Sequence, residues 1–365
     1  MTKPQVLFIG DLDTSLPEYI DFTTKFEVLT YKITTLKDLL DKFETEFSQI
    51  EAIYGSWLGF VPLGGFKGEI LEHAPSSLKV IAICSVGFDG YDGIEMAKRG
   101  IALTHVPSEG AAEPVADLVL YNTLASFRQF NKYERTFKDN NHTVKFRKVL
   151  DDELEFDSEK GLTRLNTNHT EYHFGHYINN RPNLNPRNHN VVIVGFGNIG
   201  KTIGKKLNDI GMNVHYIKRT PLSTHEEEKL GYKATYHSNI LSTKSFVDLI
   251  VIACPATPET KHLINDEIIE SIEHPFRIVN IGRGIIIDEK SLVKGLKSGK
   301  VLFAGLDVYE NEPTVNEELF DRQDVILTPH IGASTVENFN FTSIQALKNI
   351  ENVLLQNGTG LNRVN

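Results

Sequence analysis

The chain has 365 residues, 40% of them hydrophobic and 24% charged, and its formal net charge is −10 at pH 7. This length predicts two domains of ordinary size. The acidic balance argues against a nucleic-acid surface, and no apolar run approaches the ~20 residues of a membrane span. Cys84 and Cys254 each lie in an apolar run, so we expect no disulfide framework. Because the N-terminus is typical of a first strand rather than a signal peptide, we expect a cytoplasmic protein.

Short apolar runs separated by helical patterns make up most of the chain. Nearly continuous apolar strands that alternate with helices are typical of parallel sheets covered on both faces, so we predict an α/β fold with two doubly wound parallel sheets. One series ends near residue 106 and the other begins near residue 190. The predicted strands are 6–10, 50–54, 78–84, 101–106, 191–194, 213–217, 248–253, 277–281, 302–306 and 324–328.

Two buried helices mark the predicted domain boundaries. One begins after Ser108-Glu109-Gly110, and the other follows Ser334, each with apolar residues at helical spacing. We therefore predict one domain from 1–110 plus 335–365 and a second domain from 111–334.

Residues 140–188 interrupt the alternating pattern. This stretch is rich in Asn, His, Asp and Glu, and it predicts an irregular insertion that packs on the surface or stays mobile. His169, His173 and His176 have a spacing compatible with zinc. No Cys or carboxylate completes a ligand set, so a polar insertion is the favoured interpretation and we predict no metal.

A glycine-rich turn follows the strand 191–194. Gly195, Gly197 and Gly200 form a GxGxxG pattern, with Asn198 and Ile199 inside it, between an apolar strand and a helix. In that context the pattern predicts a dinucleotide whose pyrophosphate lies at the helix N-terminus.

The second strand of this unit ends in Lys218, Arg219 and Thr220. An NAD site places a carboxylate there for the ribose 2′-hydroxyl, whereas cations suit a 2′-phosphate. The sequence therefore predicts NADP(H). The alternative is that both cations point to solvent.

Five separated motifs indicate a family resemblance. They are Ser85-Val86-Gly87-Phe88-Asp89, Cys254–Ile264, Asn280-Ile281-Gly282-Arg283-Gly284, Gly305–Pro313 and Thr328-Pro329-His330-Ile331-Gly332. These motifs resemble those of the D-2-hydroxyacid dehydrogenase family, and the local sequence resembles a fungal branch with D-mandelate dehydrogenase and glyoxylate reductase. The resemblance implies a flavodoxin-like substrate domain (1–110 plus 335–365), a Rossmann-type coenzyme domain (111–334) and a homodimer.

The resemblance assigns a role to each motif. His330 is the expected acid and base, Glu312 its partner with Glu310 as a rival, and Arg283 the carboxylate clamp. Asp307 would hold the nicotinamide carboxamide, and the Val86 and Gly87 amides would bind the substrate carboxylate. Trp57 either lines the substrate pocket or belongs to the core. The other expected coenzyme contacts are Cys254, Pro255, Thr260, Ile281, Gly282, Arg283, His330 and Gly332.

These assignments favour an NADPH-dependent reductase of small 2-keto acids. Formate dehydrogenase shares the fold but has Gln in place of Glu312, so hydride transfer without proton transfer is disfavoured. A dinucleotide-binding corepressor or scaffold with little turnover is the alternative of a different class. The expected partners are a small 2-keto or 2-hydroxy acid and a second copy of the chain, with no nucleic acid and no membrane.

Overall fold

The computed structural model describes residues 3–136, 141–167 and 174–365. The chain divides into two compact units. The first comprises Met1–Gly110 and Ser334–Asn365, and the second comprises Ala111–Ala333.

Helices and strands alternate along most of the chain, as expected for two α/β units. The strands are β1 (Gln5–Ile9), β2 (Glu27–Tyr31), β3 (Ile50–Gly55), β4 (Val80–Ile83), β5 (Ala102–Thr104), β6 (Leu154–Asp157), β7 (Leu162–Leu165), β8 (Tyr177–Ile178), β9 (Arg181–Pro182), β10 (Asn190–Val194), β11 (Asn213–Ile217), β12 (Ala234–His237), β13 (Leu249–Ile252), β14 (Phe276–Asn280), β15 (Val301–Leu306) and β16 (Val325–Leu327). The helices are α1 (Pro17–Lys25), α2 (Leu36–Glu44), α3 (Glu69–Glu72), α4 (Gly93–Lys98), α5 (Glu109–Arg128), α6 (Phe130–Thr136), α7 (Thr143–Lys148), α8 (Asn198–Asp209), α9 (Thr224–Leu230), α10 (Asp266–Ser271), α11 (Glu289–Lys297) and α12 (Val336–Leu355).

The first unit is a five-stranded parallel sheet in the order β2-β1-β3-β4-β5. This order is that of flavodoxin-like folds. Successive side chains of β1 point to opposite faces, and both faces are buried: Val6 and Phe8 pack in one apolar cluster, Leu7 and Ile9 in another. The first of these clusters also contains Ala346, Leu347 and Ile350 of α12, so the C-terminal helix covers one face of this sheet.

The second unit contains a seven-stranded parallel sheet in the order β12-β11-β10-β13-β14-β15-β16. The first six strands of this series have the Rossmann order, with one strand added. Val192 and Val194 of β10 pack on one face, and Val191 and Ile193 pack on the other. The fold is therefore two α/β units with parallel sheets, as the alternating pattern predicts.

The sequence pattern did not predict two edge strands, β2 and β12. Each lies at the end of its sheet, and β12 contains no fully buried residue. A strand with a neighbour on only one side needs fewer apolar residues, so its sequence lacks the continuous apolar run that marks the central strands.

The two longest helices, α5 and α12, have 20 residues each. The first two residues of α5, Glu109 and Gly110, belong to the first unit, and the rest of α5 belongs to the second. Thr335 caps α12 by accepting a hydrogen bond from the Asn338 amide. Within the described ranges, no helix combines the length and the apolar composition needed to cross a membrane.

The segment expected to be an irregular insertion contains short regular elements. It includes α7, the antiparallel pairs β6–β7 and β8–β9, and a small core of Phe146, Leu150 and Ile178. These elements are too short to show a periodicity in sequence, which explains why the stretch has no regular pattern. His169 and His173 of the zinc spacing lie outside the described residues.

Candidate active site

The glycine-rich loop after β10 has the geometry of a dinucleotide fingerprint. Gly195 has a φ of +95°, and a Cβ there would lie 2.6 Å from the Cys254 nitrogen. A Cβ at Gly200 would lie 2.2 Å from the Gly195 carbonyl oxygen, so this glycine lets α8 pack closely on the loop. A Cβ at Gly197 would meet nothing within 4 Å. Two glycines thus allow the turn, and the third leaves open space for a ligand.

The N-terminus of α8 offers backbone donors at this open space. Its cap residue is Gly197, which supplies no side-chain hydrogen bond, and Asn198 and Ile199 follow it. The first amides of a helix have no partner within the helix and carry its positive dipole end. The glycines and this helix end therefore fit a pyrophosphate. The residues present are thus compatible with the expected dinucleotide coenzyme.

Lys218, Arg219 and Thr220 directly follow β11, beside the glycine-rich loop. The Gly195 amide donates to the Ile217 carbonyl at 2.9 Å, so the three residues begin where strand and loop join. Lys218 is half-buried, whereas Arg219 and Thr220 are exposed. Neither cation forms an ion pair with a carboxylate in the described part of the chain. The pKa of Glu259 is lowered, chiefly by hydrogen bonding to Thr257 and also by the charge of Arg219.

Two further loops lie at the carboxyl ends of β13 and β14. The Thr260 hydroxyl accepts from the Thr257 amide at 2.7 Å and donates to the Pro255 carbonyl at 2.9 Å, so it shapes its own loop. A Cβ at Gly282 would lie 2.7 Å from the Cys254 carbonyl oxygen. The loops that carry Cys254 and Gly282 are therefore in close contact.

The side chain of Asn280 shapes the turn that carries Arg283. Its Oδ1 accepts from the Gly282 amide at 3.0 Å, and its Nδ2 donates to the Arg283 carbonyl at 3.0 Å. Arg283 has extended backbone angles and donates through Nη1 to the Gly282 carbonyl at 2.8 Å. Asn280 is buried, so its two hydrogen bonds hold the turn in a fixed conformation.

His330 and Glu312 form an ion pair at the carboxyl edge of the same sheet. His330 Nδ1 lies 3.2 Å from Glu312 Oε2, and the two side chains are 54% and 37% exposed. The hydrogen bond to Glu312 raises the pKa of His330 above its ordinary value, although partial burial opposes it. Burial alone would raise the pKa of Glu312, but the hydrogen bond and charge of His330 outweigh it, so that pKa is lowered. The pair therefore favours a protonated imidazole.

Asp307 holds the loop on which His330 stands. Its Oδ1 accepts from the Thr328 hydroxyl at 2.6 Å and the Ile331 amide at 2.9 Å, and its Oδ2 accepts from the Gly332 amide at 2.8 Å. His330 itself has a φ of 56°, an unfavourable conformation that surrounding contacts must maintain. Asp307 is buried, so it is not the solvated turn residue that its position in the sequence also allowed.

Glu310, the rival to Glu312, has other partners. Its Oε1 lies 2.6 Å from His262 Nε2, its Oε2 accepts from the Glu289 amide at 3.1 Å, and its own amide donates to Glu289 Oε1 at 2.8 Å. Glu312 Oε1 accepts from the Tyr309 amide at 3.1 Å. Glu310 thus fixes the segment after β15 to His262 and Glu289, and Glu312 is the partner of His330. His262, Asp288 and Glu310 also place potential metal-ligand atoms within 4.8 Å of one another, and the hydrogen bonds of Glu310 account for its position in this group.

In the first unit, the loop after β4 carries Val86 and Gly87. The Val86 carbonyl lies 2.9 Å from His105 Nδ1, and the Gly87 carbonyl accepts from the Ser85 hydroxyl at 2.7 Å. The carbonyls are thus fixed, whereas the amides of Val86 and Gly87 donate to no group in the described ranges. Trp57 is partly buried against an apolar cluster, and its Nε1 donates to Thr342 Oγ1 at 3.4 Å.

Comparison with known proteins identifies relatives that cover most of the chain. Residues 158–332 match the model of the D-isomer specific 2-hydroxyacid dehydrogenase NAD-binding domain. The chain is 30% identical to a glyoxylate/hydroxypyruvate reductase of Arabidopsis thaliana, over 90% of this chain and 88% of the relative. The chain belongs to the D-isomer specific 2-hydroxyacid dehydrogenase family. It is similar to the holo structure of Rhodotorula graminis D-mandelate dehydrogenase, with a TM-score of 0.84, 31% identity and coverage of 100% of this chain and 98% of that chain.

A third comparison extends the likeness of fold beyond the fungal structure. This 2-hydroxyacid dehydrogenase is similar to an NADPH-dependent glyoxylate/hydroxypyruvate reductase of Sinorhizobium meliloti, solved with NADP and malonate. The TM-score is 0.75 and the identity is 24%, over 100% of this chain and 97% of that chain. At this identity the likeness shows the fold alone.

Several residues of this dehydrogenase that hold the site in place escaped the sequence prediction. Asn280, Glu289 and His262 act through contacts with distant or turn residues. For Asp307, which the resemblance assigns to the nicotinamide carboxamide, the structure adds hydrogen bonds to the His330 loop. A buried polar residue at the end of an apolar strand is a usable signal, since such a group must find a partner. Asn280 and Asp307 both follow this pattern.

Proposed function

We propose that the chain is an NADPH-dependent reductase that converts small 2-keto acids to D-2-hydroxy acids, with His330 as the proton donor. In this proposal the second unit binds the coenzyme and the first is the substrate domain. The observation that carries the proposal is the His330–Glu312 pair at the carboxyl edge of the coenzyme sheet, the edge at which open α/β sheets bind ligands.

The chemistry requires a proton for the keto oxygen as hydride reaches the carbonyl carbon. When bound, NADPH supplies that hydride. His330 has a raised pKa, so at neutral pH a larger fraction of it carries the proton than in a free imidazole, and this proton can pass to the forming alkoxide. Glu312 keeps Nδ1 engaged, which directs Nε2 as the remaining donor of the imidazolium.

Arg283 is the proposed partner of the substrate carboxylate. A guanidinium offers several donors in a fixed plane, so one group can bind a carboxylate and also stabilise negative charge on the keto oxygen. In the first unit we propose the amides of Val86 and Gly87 as further carboxylate donors, because they have no partner in the described ranges. Trp57 is the proposed contact for the substrate side chain.

The preference for NADPH rests on the residues that follow β11. A carboxylate at this position would repel a 2′-phosphate, whereas Lys218 and Arg219 attract it and Thr220 adds a hydroxyl donor. Hydrogen bonds to charged groups contribute roughly 1.5–3 kcal/mol each, so one or two give about tenfold to several-hundredfold preference. A protein of similar fold was solved with NADP, so the fold is compatible with the phosphorylated coenzyme.

Turnover tests the proposal directly. Purified protein is mixed with NADPH and, in separate reactions, glyoxylate, hydroxypyruvate, phenylglyoxylate and a branched 2-keto acid, and absorbance of the reduced coenzyme is followed. We expect depletion with at least one of them, with the His330→Ala variant as the control. Tight NADPH binding without turnover of any keto acid would instead support the binding-protein alternative.

A further inference from the structure

The amino edge of the coenzyme sheet contains a cavity of about 340 Å³. Its wall comes from the starts of β14, β15 and β16, the residue before β13, the end of α5, and the segment around α6 and β9. The catalytic residues lie at the opposite, carboxyl edge of these parallel strands. The cavity is therefore separate from the candidate active site.

Two arginine side chains, Arg181 and Arg277, line this cavity. Arg277 is only 6% exposed, and its Nε donates to the Ser126 carbonyl at 3.3 Å. Arg181 donates through Nη1 to the Leu302 carbonyl at 3.1 Å. In the described part of the chain, neither guanidinium forms an ion pair. Each has donors beyond these bonds, since a guanidinium carries five N–H groups.

Aromatic rings cover one face of each guanidinium. The Arg277 guanidinium carbon lies 3.9 Å from the centroid of the Phe127 ring, and that of Arg181 lies 3.8 Å from the centroid of Phe156. Stacking of this kind keeps water from the faces and fixes the plane of each group. The donors that remain lie at the edges, where a planar or tetrahedral oxyanion binds best.

The acidic residues of the cavity have other partners. Asp324 forms a two-pronged ion pair with Arg322, with Nε–Oδ1 and Nη2–Oδ2 both 3.0 Å. The Asp248 carboxylate accepts from the Asn190 amide at 2.7 Å. Lys132, a third cation in the wall, is also buried and donates to Gln129 Oε1 at 2.8 Å. The cavity wall thus contains three basic side chains, Lys132, Arg181 and Arg277, and two carboxylates, Asp248 and Asp324.

Burial changes the pKa values of these basic groups. Burial and, to a smaller extent, the charge of Arg181 lower the pKa of Lys132 to about 7, against the opposing charge of Asp324. Burial also lowers the pKa values of Arg181 and Arg277 to about 10. An anion would reverse these effects, because an opposite charge nearby favours the protonated form of each group.

We propose that this cavity binds a small organic dianion, either a phosphate monoester or a dicarboxylate, through Arg181 and Arg277. The apolar part of the wall suits the carbon portion of such a ligand. It includes Ala125, Leu184, Phe303, Val325 and Ile326. The site is independent of the coenzyme and of the keto acid.

The test measures anion binding to the whole protein by isothermal titration calorimetry and by the midpoint of thermal unfolding. The probes are inorganic phosphate, glycerol phosphate and succinate, each against sodium chloride of equal ionic strength. A ligand that binds only the folded state raises the midpoint. We expect at least one probe to do so in the wild type, and the comparison between phosphates and succinate identifies the ligand chemistry.

Variants locate the binding. Arg277→Met and Arg181→Met remove one cation each while keeping an unbranched apolar stem, and each is expected to weaken binding at least tenfold. The Lys218→Ser/Arg219→Ser variant is the matched control, since it removes two cations at the other edge and is expected to keep the effect. Circular dichroism without anions checks that the variants fold, and Arg277→Lys, which keeps the charge, is expected to retain part of the affinity.

Three results would overturn the proposal. They are the absence of any effect beyond that of chloride in the wild type, an undiminished effect in both methionine variants, and loss of the effect in the Lys218/Arg219 control. A change of oligomeric state in Arg277→Met, seen by size-exclusion chromatography, would likewise contradict it, because the cavity would then be an interface between copies of the chain.

Discussion

The basic side chains at the two edges of the seven-stranded sheet have pKa values shifted in opposite directions. At the carboxyl edge, His330 is half exposed and paired with Glu312, which raises its pKa. At the amino edge, Lys132 and Arg277 are buried, and burial lowers their pKa values. The same sheet thus carries one cation whose pKa a neighbouring carboxylate raises and others whose pKa values are lowered by burial.

The difference shows how environment decides what a cation can do. A partner carboxylate keeps the imidazole protonated but leaves Nε2 as a donor, which suits proton transfer. Stacked arginines that form no ion pair within the described ranges retain hydrogen-bonding capacity for an external anion. The following variants test whether the two edges are as distinct as their surroundings indicate.

The largest effect is expected for His330→Ala. Removing the proton donor should lower kcat for keto-acid reduction by about 10² to 10⁴, the usual contribution of a general acid. Steady-state kinetics measures the loss, and fluorescence titration of NADPH checks that coenzyme binding is largely kept. Near-normal turnover would remove His330 from the mechanism.

Arg283→Ala is expected to have the second-largest effect. Loss of the carboxylate partner and of charge stabilisation should raise KM for the keto acid and lower kcat, for a fall in kcat/KM of about 10² to 10³. The Arg277→Met variant is the matched control, because it removes an arginine from the opposite edge and should leave kcat/KM within a few-fold of the wild type. Equal losses in both would show that the edges are coupled.

The double variant Lys218→Asp/Arg219→Ala should reverse the coenzyme preference. It removes the cations expected at the 2′-phosphate and places a carboxylate where it can accept from the ribose of NADH. The ratio of kcat/KM for NADPH to that for NADH should fall roughly tenfold to several hundredfold. An unchanged ratio would mean that both cations point to solvent.

Glu312→Gln should give a smaller effect than His330→Ala, visible in the pH profile. Glu312 raises the pKa of His330, so without it the imidazole loses its proton at lower pH. Reduction needs the protonated form, and its rate falls as pH rises through that pKa. The falling limb of kcat against pH should therefore move to lower pH, and a limb that stays in place would contradict the role of this pair.

The sequence was sufficient for the features that depend on neighbouring residues. Buried strands such as β10 appear as apolar runs, and the roles of Gly195, Gly197 and Gly200 follow from their spacing. The approach of Glu312 to His330, in contrast, was expected only from family resemblance, because it depends on how β15 and β16 lie side by side.

Features built from distant segments were beyond sequence reasoning. The polar residues around the site, such as His262 and Asp307, act through partners that only the folded chain brings near. The cations at the amino edge come from three separate segments, around Lys132, Arg181 and Arg277, and no local pattern links them. Short elements such as β6 to β9 also leave no periodic signal.

The most direct test of the central claim is the kcat/KM of the wild-type protein for NADPH and for NADH, measured with the best of the four keto acids at saturation. The account predicts turnover that depends on His330, with kcat/KM at least about tenfold higher for NADPH. Turnover no faster than that of His330→Ala, or a kcat/KM for NADH that equals or exceeds the value for NADPH, would contradict it.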